Sequence, residues 1–161
     1  MKLKENKKLR EVVCEIIRRF PGISRTQLVK SIYVIDREYF KNTGRTMTGI
    51  EYEFYFYGPY SHEFKAVLHD LKKNNIIYEN FDGISYKIFL DKKRLSEEEI
   101  RTQFSREENE AIESAIKKLT RNEKLISAKE IKKYVYSLDE VKSTEPFKKI
   151  VFKRGPNALS E

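Results

Sequence analysis

The chain has 161 residues, 33 of them Lys or Arg and 25 Asp or Glu, for a formal charge of +8, with one cysteine and no tryptophan. That length buries a core without staples, and the lone Cys14 excludes a disulfide framework and a multi-cysteine zinc site within the chain. No apolar run approaches the roughly 20 residues of a membrane span. The lysine-rich start Met1 to Lys8 lacks the apolar stretch of a signal peptide, so a cytoplasmic protein without membrane association is expected.

Residues 1–30 carry a net +6, residues 31–90 a net −1 and residues 91–161 a net +3. The basic excess suits an anionic partner, yet it sits mainly at the first helix and reads equally well as solvated surface.

Leu9, Val12, Val13, Ile16, Ile17 and Phe20 follow the i, i+3, i+4, i+7 spacing of an amphipathic helix, which Pro21-Gly22 stops. Cys14 lies on the apolar side of that helix as a buried thiol. Ser24 with Gln27 forms a capping box that opens a second helix, with Leu28, Ile32, Ile35 and Tyr39 as its buried stripe and Asn42-Thr43-Gly44 as its end. From Thr48 the period changes: Ile50, Tyr52, Phe54 and Phe56 alternate with Glu51, Glu53, Tyr55 and Tyr57, which predicts one strand broken by Gly58-Pro59.

A third helix carries Phe64, Val67, Leu68 and Leu71 inward and ends at Asn74-Asn75. His62, Lys65, His69 and Lys72 share its opposite face. Ile76 to Glu79 and Ile84 to Leu90 then flank Asn80-Phe81-Asp82-Gly83, a hairpin turn by its Asp-Gly pair. Asp91 to Arg94 reads as a short charged linker, and Ser96 to Phe104 as a minor helix. Ser105 with Glu108 and Ser127 with Glu130 cap two further helices, bearing Ile112, Ala115, Ile116 and Leu119, and Ile131, Tyr134, Val135 and Leu138. Beyond Pro146, Phe147, Ile150, Val151 and Phe152 suggest a docking segment, and Gly155 to Glu161 a frayed end.

The order predicts an α+β, mostly helical fold. It has a winged-helix-like core in residues 1–91, built of two helices, an aromatic strand, a helix and a β-hairpin, and a helical extension in residues 92–161 packed on it. No Gly-rich phosphate loop, metal-ligand cluster or nucleophile with a base is present, so neither catalysis nor a cofactor is expected. His62 and His69, two turns apart, are poorly spaced for a shared metal.

Two binding chemistries remain. Half of the chain's twenty Phe and Tyr residues fall between Tyr33 and Phe64. Such density marks either a packing centre or a binding face. Tyr52, Tyr55, Tyr57 and Tyr60 are the candidates for contact with a protein partner. In a winged helix, the helix before the hairpin meets DNA, which would make His62, Lys65, His69, Lys72 and Lys73 the contacting side chains. Against that, Glu63 and Asp70 lie on the same helix, no Arg or Gln is available there to read bases, and the hairpin tip carries Asp82.

Leu28, Lys30, Ile32, Tyr33, Asp36, Arg37, Phe40, Thr43, Gly44, Arg45, Thr48 and Gly49, followed by Tyr57-Gly58-Pro59, resemble the motif of the Panacea domain, the antitoxin SocA-like family. Ser127 to Ile131 and Glu145-Pro146-Phe147 are similar to downstream segments of that family, so the resemblance covers roughly residues 10–150. The chain departs at Met47 and at Tyr60-Ser61. The resemblance implies a non-enzymatic binding domain that, in many family members, neutralises a toxin encoded beside it, or serves as an adaptor or phage-related regulator. Assembly into a homodimer is compatible with the sequence. The motif residues also have a structural reading: Gly44, Gly49 and Gly58 permit turns, and Asp36 and Arg37 are placed to hydrogen-bond the loop 42–49 onto the second helix.

Overall fold

The computed structural model describes residues 6–91 and 104–153. Its order is α1 (Lys7–Arg19), β1 (Ile23–Ser24), α2 (Arg25–Thr43), β2 (Glu53–Tyr55), β3 (Gly58–Tyr60), α3 (His62–Lys73), β4 (Ile77–Phe81), β5 (Tyr86–Leu90), α4 (Arg106–Leu119), β6 (Thr120–Arg121), β7 (Lys124–Leu125), α5 (Ala128–Tyr136) and α6 (Asp139–Lys142). The fold is α+β and mostly helical, with three small antiparallel sheets. The linker beyond Asp91, the minor helix up to residue 103 and the terminal stretch from residue 155 lie outside the described residues.

Helix starts follow from hydrogen bonding. The Ser24, Ser105 and Ser127 side chains each accept from the backbone N–H three residues on, and Gln27, Glu108 and Glu130 return the bond to the cap backbone. Each box satisfies two donors that the first helical turn would leave open. At the far end of α2, Gly44 takes a left-handed φ of 78° and its N–H closes on the Phe40 carbonyl.

A single apolar stripe was the expectation for α2, but it is buried on nearly all sides, Lys30, Ser31, Asp36 and Glu38 included. The cause is its place in the fold, because α1, β3, α4 and α5 all pack against it. Ser114 and Lys118 of α4 donate to the two oxygens of Glu38 at 2.9 and 2.8 Å. Burial pushes the Glu38 carboxyl up, but these partners outweigh it and hold its pKa below the usual value.

The predicted strand through residues 50–57 is instead a hairpin. β2 runs from Glu53 to Tyr55, the chain reverses at Phe56-Tyr57, and β3 returns with Glu53 opposite Tyr60 and Tyr55 opposite Gly58. Alternating hydrophobicity cannot reveal where a chain reverses, and Gly58, with φ of 103°, is the residue that lets it do so. Phe56, read as part of the strand, is therefore 69% exposed at the turn.

β1 was not legible in the sequence. It pairs with β5, Ile23 opposite Ile88, so the β4–β5 hairpin gains a third strand in the order β1-β5-β4. The tip of that hairpin lies at Asp82 to Ser85, where Asp82 accepts from the N–H groups of Ile84 and Ser85. The β6–β7 hairpin was also missed; Asn122 and Glu123 turn it with φ of 55° and 64°.

After α6 the chain returns to β2. Phe54 N–H donates to the Lys148 carbonyl, Phe147 N–H to the Phe54 carbonyl and Ile150 N–H to the Tyr52 carbonyl, so residues 147–150 run antiparallel beside β2 through an isolated bridge between Glu53 and Lys149. Phe152 then stacks on Tyr33 and Phe40 at 5.1 and 5.5 Å and meets the Tyr52 ring edge-on. The sequence expectation of a docking segment holds for Ile150 and Phe152, whereas Phe147 and Val151 face solvent.

Candidate functional site

The motif residues divide between an internal scaffold and an exposed rim. Asp36 is wholly buried and accepts three bonds, from Thr48 N–H at 3.0 Å, Thr48 Oγ1 at 2.5 Å and Tyr52 OH at 2.8 Å. It ties the loop after α2 and the start of the aromatic hairpin to one turn of helix. Burial pushes its carboxyl up to about 6, with the bonds from Thr48 and Tyr52 pulling the other way.

Arg37 was expected to hold the same loop. It points elsewhere: its Nε donates to Glu140 Oε2 at 2.6 Å, and Tyr33 OH donates to the same oxygen at 2.9 Å. Successive helical residues face about 100° apart, so Asp36 and Arg37 necessarily brace different neighbours. Glu140 carries no local sequence signal.

Of the four candidate contact tyrosines, Tyr52 is in the core. It is 0% exposed, its ring edge-on to Tyr33 and its hydroxyl spent on Asp36. Tyr55 and Tyr60 are half-buried and stack at 5.6 Å, with His62 edge-on to both. Tyr57 is 66% exposed, and the Lys132 ammonium lies 4.9 Å above its ring. Phe147, which the sequence reading placed in a docking segment, is 54% exposed and meets the rings of Tyr55 and Phe56 edge-on. The resulting exposed aromatic group is Phe56, Tyr57 and Phe147, backed by Tyr55.

The glycines serve this geometry unequally. A Cβ on Gly58 would stand 3.0 Å from the Tyr136 ring and 3.4 Å from Lys30 Cε, whereas one on Gly49, at φ of 75°, would meet nothing within 4 Å. Pro59 is buried, and its carbonyl accepts from Lys30 Nζ at 2.8 Å. Arg45 is exposed, with its guanidinium over Tyr39.

On α3, His62, Lys65, His69, Lys72 and Lys73 are all exposed. The two acids of that helix turn toward α1, Glu63 accepting from Asn6 and Asp70 pairing with Arg10. Lys72 is bound to Glu79, which also takes both arms of Arg25. Among the described residues no cluster of three or more His, Cys, Asp or Glu is placed to hold a metal, and no helix is long and apolar enough to cross a membrane.

A family model described as "Antitoxin SocA-like, Panacea domain" matches residues 28–140, from the first turns of α2 to the Glu140 that Tyr33 and Arg37 share. No curated protein and no solved structure matches the chain significantly.

Proposed function

Because the chain belongs to the antitoxin SocA-like, Panacea-domain family, we propose that it is a non-enzymatic binding module that neutralises or adapts a protein partner through the tip of the β2–β3 hairpin. The observation that carries this reading is the exposed group of Phe56, Tyr57 and Phe147. Large rings held at a surface on a rigid base are the side chains from which binding hot spots are built. The base is rigid because Asp36 anchors one end of the hairpin and residues 147–150 flank its outer strand. Phe147 also holds a left-handed φ of 65°, a conformation that bulky residues rarely adopt away from functional positions.

The test is affinity capture from native extract with nuclease treatment, comparing wild type with the Phe56→Ala/Tyr57→Ala double variant. A stoichiometric protein that the folded wild type retains and the equally folded variant loses supports the reading. Equal retention by both would overturn the assignment of the surface.

A second reading, a winged-helix DNA-binding regulator, draws support from the order α1, β1, α2, α3, β4, β5, with the β2–β3 hairpin inserted between α2 and α3, and from an α3 whose exposed stripe is basic because Glu63 and Asp70 turn toward α1. It predicts binding that falls steeply with salt and is lost on Lys65→Glu/Lys73→Glu. Affinity for duplex DNA unchanged by that charge reversal would exclude it.

A further inference from the structure

Beneath the hairpin tip lies a pocket of about 420 Å³, bounded by the start of α2, the β2–β3 hairpin and the start of α3. That is within the roughly 300–1,000 Å³ range of small-molecule sites. Its basic side chains are Arg25, Lys30, His62 and Lys65, and no Asp or Glu among the described residues lines it. Its other walls are largely aromatic, with Tyr55, Tyr57 and Tyr60 among them.

The charges in this lining are not equally committed. Arg25 already gives both arms to Glu79 and lies over the Tyr86 ring. Lys65 makes no ion pair among the described residues. Lys30 is the unusual member. Its side chain is buried, yet among the described residues its ammonium has one partner, the Pro59 carbonyl, and no carboxylate. An ammonium has three donors, and a buried cation without a counter-charge is unfavourable. Burial and then the charge of Lys132 lower its pKa to about 8. An anion entering the pocket would supply the missing counter-charge, and the aromatic side chains that line it would pack against a flat apolar group.

We propose that this pocket binds a phosphate-bearing planar ligand of the nucleoside monophosphate class, its phosphate held by Lys30 and Lys65 and its base packed among Tyr55, Tyr57 and Tyr60. A bare phosphate would leave the aromatic walls unused, and an uncharged nucleoside would leave Lys30 uncompensated. The site shares Phe56 and Tyr57 with the proposed protein-contact surface but does not rest on that reading, and a ligand here would stiffen the hairpin that carries both residues.

Isothermal titration of the full chain with AMP, adenosine and inorganic phosphate tests this. AMP binding one to one, at least tenfold tighter than either fragment, is the expected result. Lys30→Met then weakens AMP at least tenfold and Lys65→Glu severalfold, with adenosine little affected. If Lys30→Met fails to fold, as circular dichroism would show, Lys65→Glu and Tyr57→Ala decide the matter from surface positions. Absence of AMP binding at millimolar concentration overturns the proposal. So does adenosine or phosphate binding as tightly as AMP, or AMP affinity that the folded variants leave unchanged.

Discussion

Arg37 and Glu140 are 103 residues apart in sequence, and their side chains meet at 2.6 Å, with Tyr33 OH on the same carboxylate oxygen. Glu140 is buried and Arg37 half-buried, so removing the acid leaves the Tyr33 hydroxyl without this acceptor and Arg37 with the more distant Glu38 carboxylate at 3.9 Å. Breaking such a pair costs about 3–5 kcal/mol when fully buried; the partial exposure of Arg37 brings the expected loss for Glu140→Ala to about 2–4 kcal/mol. Urea unfolding measures it. A loss under about 1 kcal/mol would mean that this contact does not hold α6 to α2.

Asp36 makes stability depend on pH in the direction opposite to an ordinary paired carboxylate. Its pKa rises from 3.8 to about 6 on folding because burial disfavours the charge. The contribution of this group is therefore fully present below pH 4 and is lost as pH rises through about 6, a change of roughly 3 kcal/mol. Relative to wild type, Asp36→Asn should gain up to that amount between pH 4 and pH 7. A difference between the two proteins that stays constant with pH would refute the assignment.

Gly58 and Gly49 both hold positive φ but differ in surroundings. Gly58→Ala should cost about 2 kcal/mol or more, since it adds a contact at 3.0 Å with the Tyr136 ring to the backbone strain. Gly49→Asn, in open space and in a conformation that asparagine tolerates, should cost under about 1 kcal/mol. Thermal melts of the two variants would separate the cases, and equal losses would contradict the packing described.

The thiol of Cys14 is buried on α1, and burial pushes its pKa up to about 12. Thiolate is the reactive form, so native protein should resist a chromogenic disulfide reagent at pH 8 and react within the dead time once unfolded in guanidinium. Rapid labelling of folded protein would place Cys14 at an accessible surface.

The helices were legible because their signals are local. Ser24-Gln27, Ser105-Glu108 and Ser127-Glu130 declare their own starts, and the apolar spacing of α1 and α3 names their inward faces. What the sequence concealed was reversal and distance. Tyr52 and Phe56 stand on one phase of an unbroken alternating run, yet a turn puts the first in the core and the second in solvent. The two residues of β1 are too few to show a period, and the partners of Arg37 and Tyr52 lie where no spacing rule reaches. Panacea-motif residues identified by resemblance were mixed in kind: Asp36, Tyr33 and Gly58 support the fold, while Tyr57 stands at the rim.

Residues 147–150 have an effect on self-association as well. A strand with an open side is a template on which a second chain can pair, and β2 is short and carries Phe54 and Tyr55. By taking up the Phe54 N–H and the carbonyls of Tyr52 and Phe54, this segment leaves that side of the hairpin little to offer an incoming strand. Ile150→Pro, which deletes the donor to Tyr52, should raise the dimer and aggregate fractions in size-exclusion chromatography at fixed concentration. An unchanged elution profile would show that the edge is guarded by other means. The aromatic tip can thus stay exposed in a chain whose adjoining backbone is closed to copies of itself.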